Sequence, residues 1–248
     1  MKKLVILSVF VSATVYSFAD DPENVLVKYD YFGDFGRAVF NAVSAKWSDA
    51  NLTFHANYTW PEFIADLTGG THWDIVICEA HMYEGTETQY NALKDYFEAG
   101  GALFICDYSW TLYGCQADEL IHAMGVSGVE VITPDPVPHY TWDPEHVITA
   151  GIAEWHQSDP GYLYVGHYLT VDGAVPVTGW TESETEGNAA ICVLDGESDG
   201  YNSVISGYFP SFKTDDAEGL WDNILDYMSD RDTNVGHSSF GEIKAVFR

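Results

Sequence analysis

The chain has 248 residues, is 46% hydrophobic and 15% aromatic, and sets 38 acidic residues against 10 lysines and arginines, for a net charge of −28. Such a balance repels nucleic acid and anionic membrane, which excludes both as expected partners. The apolar and aromatic content is enough for a sizeable core and excludes a disordered acidic tail.

Residues 1–19 read as a secretory signal: Lys2 and Lys3 give a charged start, Leu4 to Val15 an apolar run, and Ser17 and Ala19 the small residues before a cut. The run is well short of the ~20 apolar residues of a spanning helix. No cysteine stands at the cut, so a lipid anchor is not indicated. The expectation is a mature chain beginning at Asp20, secreted or periplasmic, with one domain over 20–230 and a polar tail over 231–248.

"NVLVKYDY" (24–31) reads as a strand, and the stretch around Phe35 to Trp47 carries apolar residues at helical spacing. "LTFHANY" (52–58) is a second strand. Pro61 then opens a helix with Phe63, Ile64 and Leu67 on one face, ended by Gly69 and Gly70. "WDIVICEAH" (73–81) is a third strand, with the continuous apolar run of a strand covered on both faces. "TETQ" (86–89) has capping-box spacing ahead of Tyr90, Leu93 and Phe97. Gly100 and Gly101 stop that helix, and "ALFIC" (102–106) is a fourth strand.

This rhythm predicts a flavodoxin-like, doubly wound α/β fold with a mostly parallel sheet. Beyond about residue 128, "VEVIT", "YLYVGHYLTV", "AVPVTGW", "AAICVLD" and "NSVISGYF" are strand-like with few helices between them. They predict an antiparallel extension in the C-terminal half, before a last parallel strand. A final helix is marked by Asp215 and Glu218 at its start, then Leu220, Trp221, Ile224, Leu225 and Met228 on one face.

Cys78, Cys106 and Cys192 lie in or at the end of apolar strand-like runs, where free cysteine behaves as a small core residue. Only Cys106 and Cys115 are close enough in sequence for an easy local disulfide. "DGESDG" (195–200) lacks the ligand spacing of a calcium loop and reads as a turn.

Four stretches carry a resemblance: "HWDIVICEAHMYEG", "LKDYFEAGGALFICDYSW", "DPEHVITAGIAEWHQSDPGYLYVG" and "SVISGYFPSF". In that order, over roughly residues 23 to 229, the chain resembles the class I glutamine amidotransferase-like superfamily, in its ThuA-like (trehalose-utilisation-like) branch. Val147 stands where that branch usually has proline. The resemblance implies a nucleophile in Gly-x-Cys-x-Gly and a base in His-Pro-Glu. Here Cys106 aligns, but Phe104 and Tyr108 replace the glycines, and Phe209-Pro210-Ser211 replaces the base and its carboxylate. A thiol with no base is a weak nucleophile near neutral pH. Cys106 is therefore expected to be a strand-end thiol in a degenerate triad. His81, His139, His156 and His167 are the histidines in loops that a substitute base would have to come from.

Ligands of open α/β sheets bind at the C-terminal ends of parallel strands. The residues leaving the strands there are Asp30, Tyr31 and Asp34, then Glu79 and His81, then Asp107, Tyr108 and Trp110, with Tyr208 nearby. Acids mixed with aromatic rings suit a small polar ligand such as a saccharide. The same acids with His81 suit a divalent cation such as calcium. Glu79, His81 and Asp107 are expected to face a common cavity walled by Tyr108 or Trp110. The leading expectation is a non-catalytic binding or accessory module in carbohydrate handling. Its rivals are a ThuA-like carbohydrate-active enzyme using Glu79, His81 and Asp107, metal-assisted or not, and a structural component of an exported assembly.

Overall fold

A computed structural model describes residues 21–30, 37–80, 85–107, 117–132, 138–152, 155, 166–196, 200–213 and 217–230. Residues 1–19, for which a signal is expected, and residues 231–248 lie outside the described residues. Among these residues no helix is long and apolar enough to cross a membrane.

The N-terminal half alternates as its periodicity predicts: β1 (Asn24–Tyr29), α1 (Ala38–Lys46), β2 (Asn51–Ala56), α2 (Trp60–Thr68), β3 (Ile75–Ala80), α3 (Glu87–Glu98) and β4 (Ala102–Asp107). After α4 (Asp118–Ala123) come β5 (Val126–Val131), β6 (Tyr140–Thr141), β7 (His167–Val171), β8 (Val175–Gly179), β9 (Ala189–Leu194) and β10 (Ser203–Ser206). The described chain closes with α5 (Pro210–Lys213) and α6 (Ala217–Ser229). Pro61 stands in the first turn of α2, where its missing N–H costs nothing. At α3 the Thr86 amide donates to Gln89 Oε1 at 2.7 Å, so the capping box read from the sequence is made.

The main path of the sheet runs β2-β1-β3-β4-β10-β9-β7-β5, with β8 and β6 added beside β9. β2, β1, β3, β4 and β10 are mutually parallel where they pair, and this is the flavodoxin-like strand order. β9 pairs antiparallel to β10, and β7, β8 and β5 continue in that sense. The fold is thus mixed α/β, a parallel core with an antiparallel extension.

Alternate residues of the central strands feed two cores. Val25, Val27, Ile75, Ile77, Phe104 and Cys106 face α1 and α6. Leu26, Val76, Cys78, Leu103 and Ile105 face α2, α3 and α4. α6 buries Leu220, Trp221, Ile224, Leu225 and Met228 completely, each contributing about 1.5–3 kcal/mol by leaving water. This two-sided burial explains the unbroken apolar runs of β3 and β4, and it fixes which way each strand-end side chain must point.

Candidate functional site

The parallel strands end side by side. The Asp30 amide donates to the Glu79 carbonyl at 3.1 Å, which carries the β1–β3 ladder to its last rung. β1 and β3 are the pair where strand order reverses, the place at which open α/β sheets leave a crevice. Register then divides the ends. Glu79 stands opposite Tyr29 and Cys106, on the α1–α6 side. Lys28 stands opposite Cys78, and Ala80 opposite Asp107, so Lys28, Asp30 and Asp107 belong to the α2–α3–α4 side.

On that second side, four polar groups are sunk into the core. Lys28, Asp30 and Asp107 are 0%, 0% and 1% exposed. Lys28 Nζ donates to Asp30 Oδ1 at 2.5 Å and lies 5.5 Å from the centre of the Trp60 ring. The Tyr90 hydroxyl donates to Asp107 Oδ2 and accepts from the Gly85 amide at 3.2 Å. Trp60 and Tyr90 meet edge to face at 5.8 Å. Burying a carboxylate without a partner costs several kcal/mol, and here an ammonium, an indole face and a phenol offset that cost.

On the first side, Glu79 is 0% exposed. Its Oε1 accepts from the Ser211 amide at 2.9 Å, whereas Oε2 accepts nothing. Burial pushes the carboxyl up to about 7; the Ser211 hydroxyl and amide pull against that rise, and the Asp30 charge adds to it. Ser211 is itself held, its Oγ accepting the Trp221 indole N–H at 2.8 Å.

Cys106 is a free, fully buried thiol beside Glu79. Its Sγ donates to the Tyr208 carbonyl at 3.2 Å, and Ser206 Oγ donates to the same oxygen at 2.5 Å. Burial holds the thiol well above its ordinary range, and the Glu79 and Asp107 charges raise it further. A thiol in this setting stays protonated. Gly207 makes the turn possible, because a Cβ there would lie 2.3 Å from the His167 carbonyl oxygen.

The extension holds a second buried group. His139 is 8% exposed and is enclosed by Trp155, Trp180 and Tyr208, with ring centres 4.4, 4.8 and 4.3 Å away. Its Nε2 lies 2.8 Å from Thr178 Oγ1, and its Nδ1 has no hydrogen-bond partner. Burial lowers the ring to about 3, so it is neutral.

The strand ends therefore gather Asp30, Glu79, Cys106 and Asp107 at one edge, but not on one face. Glu79 and Asp107 point to opposite sides of the sheet, so the shared cavity expected for them is not what the register builds. His81, Tyr108 and Trp110 lie outside the described residues, as do Tyr31, Asp34, Cys115 and His156. Cys106 gives its hydrogen to the Tyr208 carbonyl and not to His139, whose Nε2 meets Thr178 Oγ1. Among the described residues no group of three or more His, Cys, Asp or Glu is placed to hold a metal ion. Lys28 escaped the sequence reading, and so did the aromatic surroundings of His139. Lys28 was flagged by nothing except being a lysine two residues before Asp30 in an otherwise apolar strand. His139 gains its surroundings only from distant segments.

No protein-family model matches the chain, and no curated protein matches it. Solved structures do. The chain is similar to the mmIFT52 N-terminal domain, with a TM-score of 0.50 and 11% identity, over 82% of this chain and 97% of that one. The likeness is one of fold. A β-galactosidase from Rahnella sp. R3 aligns at TM-score 0.46 and 12% identity, over 81% of this chain but 30% of that enzyme. A ThuA-like protein from Bacteroides uniformis aligns at TM-score 0.46 and 10% identity, over 82% and 90% of the two chains.

Proposed function

We propose that the chain is an exported, amidotransferase-like domain with a degenerate triad. In this reading it works as a non-catalytic binding or accessory module that takes a small saccharide at the C-terminal edge of its parallel strands. The observation that carries the binding role is the buried Lys28–Asp30 and Tyr90–Asp107 pairing beside the point where strand order reverses. Charges are costly inside a core, and well-packed apolar residues of similar volume often serve stability as well or better. Ionic side chains at a ligand-binding edge suit recognition of hydroxyl groups. The thiol supports the absence of amidotransferase chemistry, because its hydrogen is committed to the Tyr208 carbonyl.

Calorimetric titration of the wild type and Asp107→Asn against a panel of mono- and disaccharides, with and without calcium, tests this reading. Saccharide binding by the wild type, weakened by Asp107→Asn without loss of fold, is the expected result. Failure of every saccharide to bind the wild type overturns it.

A further inference from the structure

The main path of the sheet ends on two strands, β5 and β2, and their edges are built differently. β5 is blunted by a bulge between Val126 and Gly128 and by the exposed Glu130. β2 has neither device. It reads NLTFHA, with no lysine, proline, bulge or acid, in a chain that carries 38 acidic residues. Two of the four large apolar side chains exposed among the described residues adjoin it, Phe40 and Tyr58. Phe40 packs on Phe54 with ring centres 4.6 Å apart, and Tyr58 follows the strand.

The ladder tells which backbone groups of β2 are unspent. The Asn51 amide donates to the Glu23 carbonyl, and the Asn57 amide to the Tyr29 carbonyl. Parallel pairing turns every second residue toward its neighbour, so Asn51, Thr53, His55 and Asn57 face β1. Leu52, Phe54 and Ala56 therefore point their N–H and C=O groups away from the sheet. The Ala56 carbonyl accepts from Thr59 Oγ1 at 3.0 Å. Leu52 and Phe54 remain, each with a backbone donor and acceptor that meet nothing among the described residues.

We propose that β2 pairs antiparallel with β2 of a second copy about a twofold axis through Thr53, joining two sheets into one. In that register Leu52 stands opposite the partner's Phe54 and exchanges both backbone hydrogen bonds with it, and the twofold repeats the exchange at Phe54. A twofold through Phe54 instead sets Leu52 against the partner's Ala56, whose carbonyl is already engaged. Side chains favour the same register. Leu52 and Phe54 share the α1 face, so an aliphatic–aromatic pair forms twice, with Phe40 beside it. On the α2 face Thr53 meets the partner's Thr53 as a hydroxyl pair, and His55, held by Asp66 at 2.8 Å, meets the partner's Asn51. The strand is thus its own complement in backbone groups and in side chains, as a twofold contact requires. Charge points to the same place: two chains of net charge −28 repel, and this strand offers them a contact without an acid.

Sedimentation velocity, amide hydrogen exchange and cross-linking of the full chain test this, at about 0.5 M NaCl so that the like charges are screened. The wild type should sediment as a dimer at roughly 100 μM. Thr53→Lys sets two lysines face to face on the axis and should sediment as a monomer with wild-type circular dichroism. The Leu52 and Phe54 amides should exchange at least about tenfold faster in that variant, whereas the His55 amide, which serves β1, stays protected in both. Thr53→Cys should give a disulfide-linked dimer on mild oxidation, because residues facing in a non-hydrogen-bonded pair have Cα atoms about 4.5 Å apart. His55→Cys and the wild type, oxidised alongside, should not. If Thr53→Lys fails to fold, the two cysteine variants decide alone. A monomeric wild type overturns the proposal, and protected Leu52 and Phe54 amides in that monomer would assign the edge to another segment of the chain or to a foreign strand. A dimer unchanged by Thr53→Lys, or one cross-linked through His55→Cys and not through Thr53→Cys, puts the contact elsewhere and overturns it equally.

Discussion

The parallel half buries Glu79 and the antiparallel extension buries His139, each a titratable side chain with an unfilled hydrogen-bonding atom. Each is driven toward its neutral form by loss of water, but neutrality lies on opposite sides of the titration. Glu79 is neutral with its proton on, and His139 with its proton off. Tyr208 adjoins both regions, its carbonyl accepting from Cys106 beside Glu79 and its ring packing on His139. The parallel half adds a second solution absent from the extension, the Lys28–Asp30 ion pair. Desolvation is thus met in three ways within one sheet: by pairing charges, by holding a proton, and by refusing one.

The comparison breaks most sharply at Lys28. Lys28→Met leaves Asp30 buried without its cation, and urea unfolding should show a loss of about 3–5 kcal/mol. The double variant Lys28→Met/Asp30→Asn should recover most of that loss. If the single variant matches the wild type, the ion pair is not what keeps Asp30 in the core.

Glu79 comes next. Its folded form holds a proton more tightly than the unfolded chain, so its contribution is fully present below pH 4.5 and is lost as pH rises through about 7. The loss across that window is about 3 kcal/mol. Glu79→Gln should abolish it, measured as the difference between wild-type and variant unfolding free energies at several pH values.

His139 has the opposite sign and a smaller effect over accessible pH. Its folded value lies below the ordinary 6.5, so its contribution is present above 6.5 and is lost as pH falls toward about 3. Between pH 6.5 and about 5 this amounts to about 2 kcal/mol. In the wild type the two slopes offset one another from about pH 4.5 to 6.5. Stability should therefore fall on acidification in Glu79→Gln and rise in His139→Phe. Parallel profiles for the two variants would show that these groups do not titrate as a contrasting pair.

The smallest effect is expected at Cys106. Tyr208 keeps its second donor, Ser206, when the thiol is removed. Cys106→Ala should cost about 1–2 kcal/mol, chiefly through the cavity left, and should change any activity of the protein no more than a few-fold. A loss on the ~10³ scale typical of a removed nucleophile would restore a catalytic role to the thiol.

The fold was legible where local rules and burial agree. Continuous apolar runs announced β3 and β4 as strands covered on both faces, and Thr86 with Gln89 announced the start of α3. Phe209 and Ser211 stand where the resemblance implies a base and its carboxylate, and the Cys106 thiol donates to the Tyr208 backbone carbonyl. The candidate site was legible only as a set of strand ends. Their division between two faces follows from a period of two, and it needs the pairing of Glu79 with Cys106 in place of Asp107 to be known. Lys28 could have been found by the same rule, since residues 26, 28 and 30 share a face. The box around His139 could not: Trp155, Trp180 and Tyr208 reach it through turns whose closure no local pattern encodes.

β10 carries a consequence for how the chain must be assembled. It sits between β4 and β9, and the Leu103 amide donates to Ser203 Oγ across a separation of 100 residues. The βα units up to β4 are local and can form early, whereas β4 remains an open edge until the far end of the chain arrives. An unpaired central strand is a template for wrong partners. Folding of this chain should therefore depend on delivering residues 203–206 promptly, and a copy truncated before them should aggregate where the full-length chain does not.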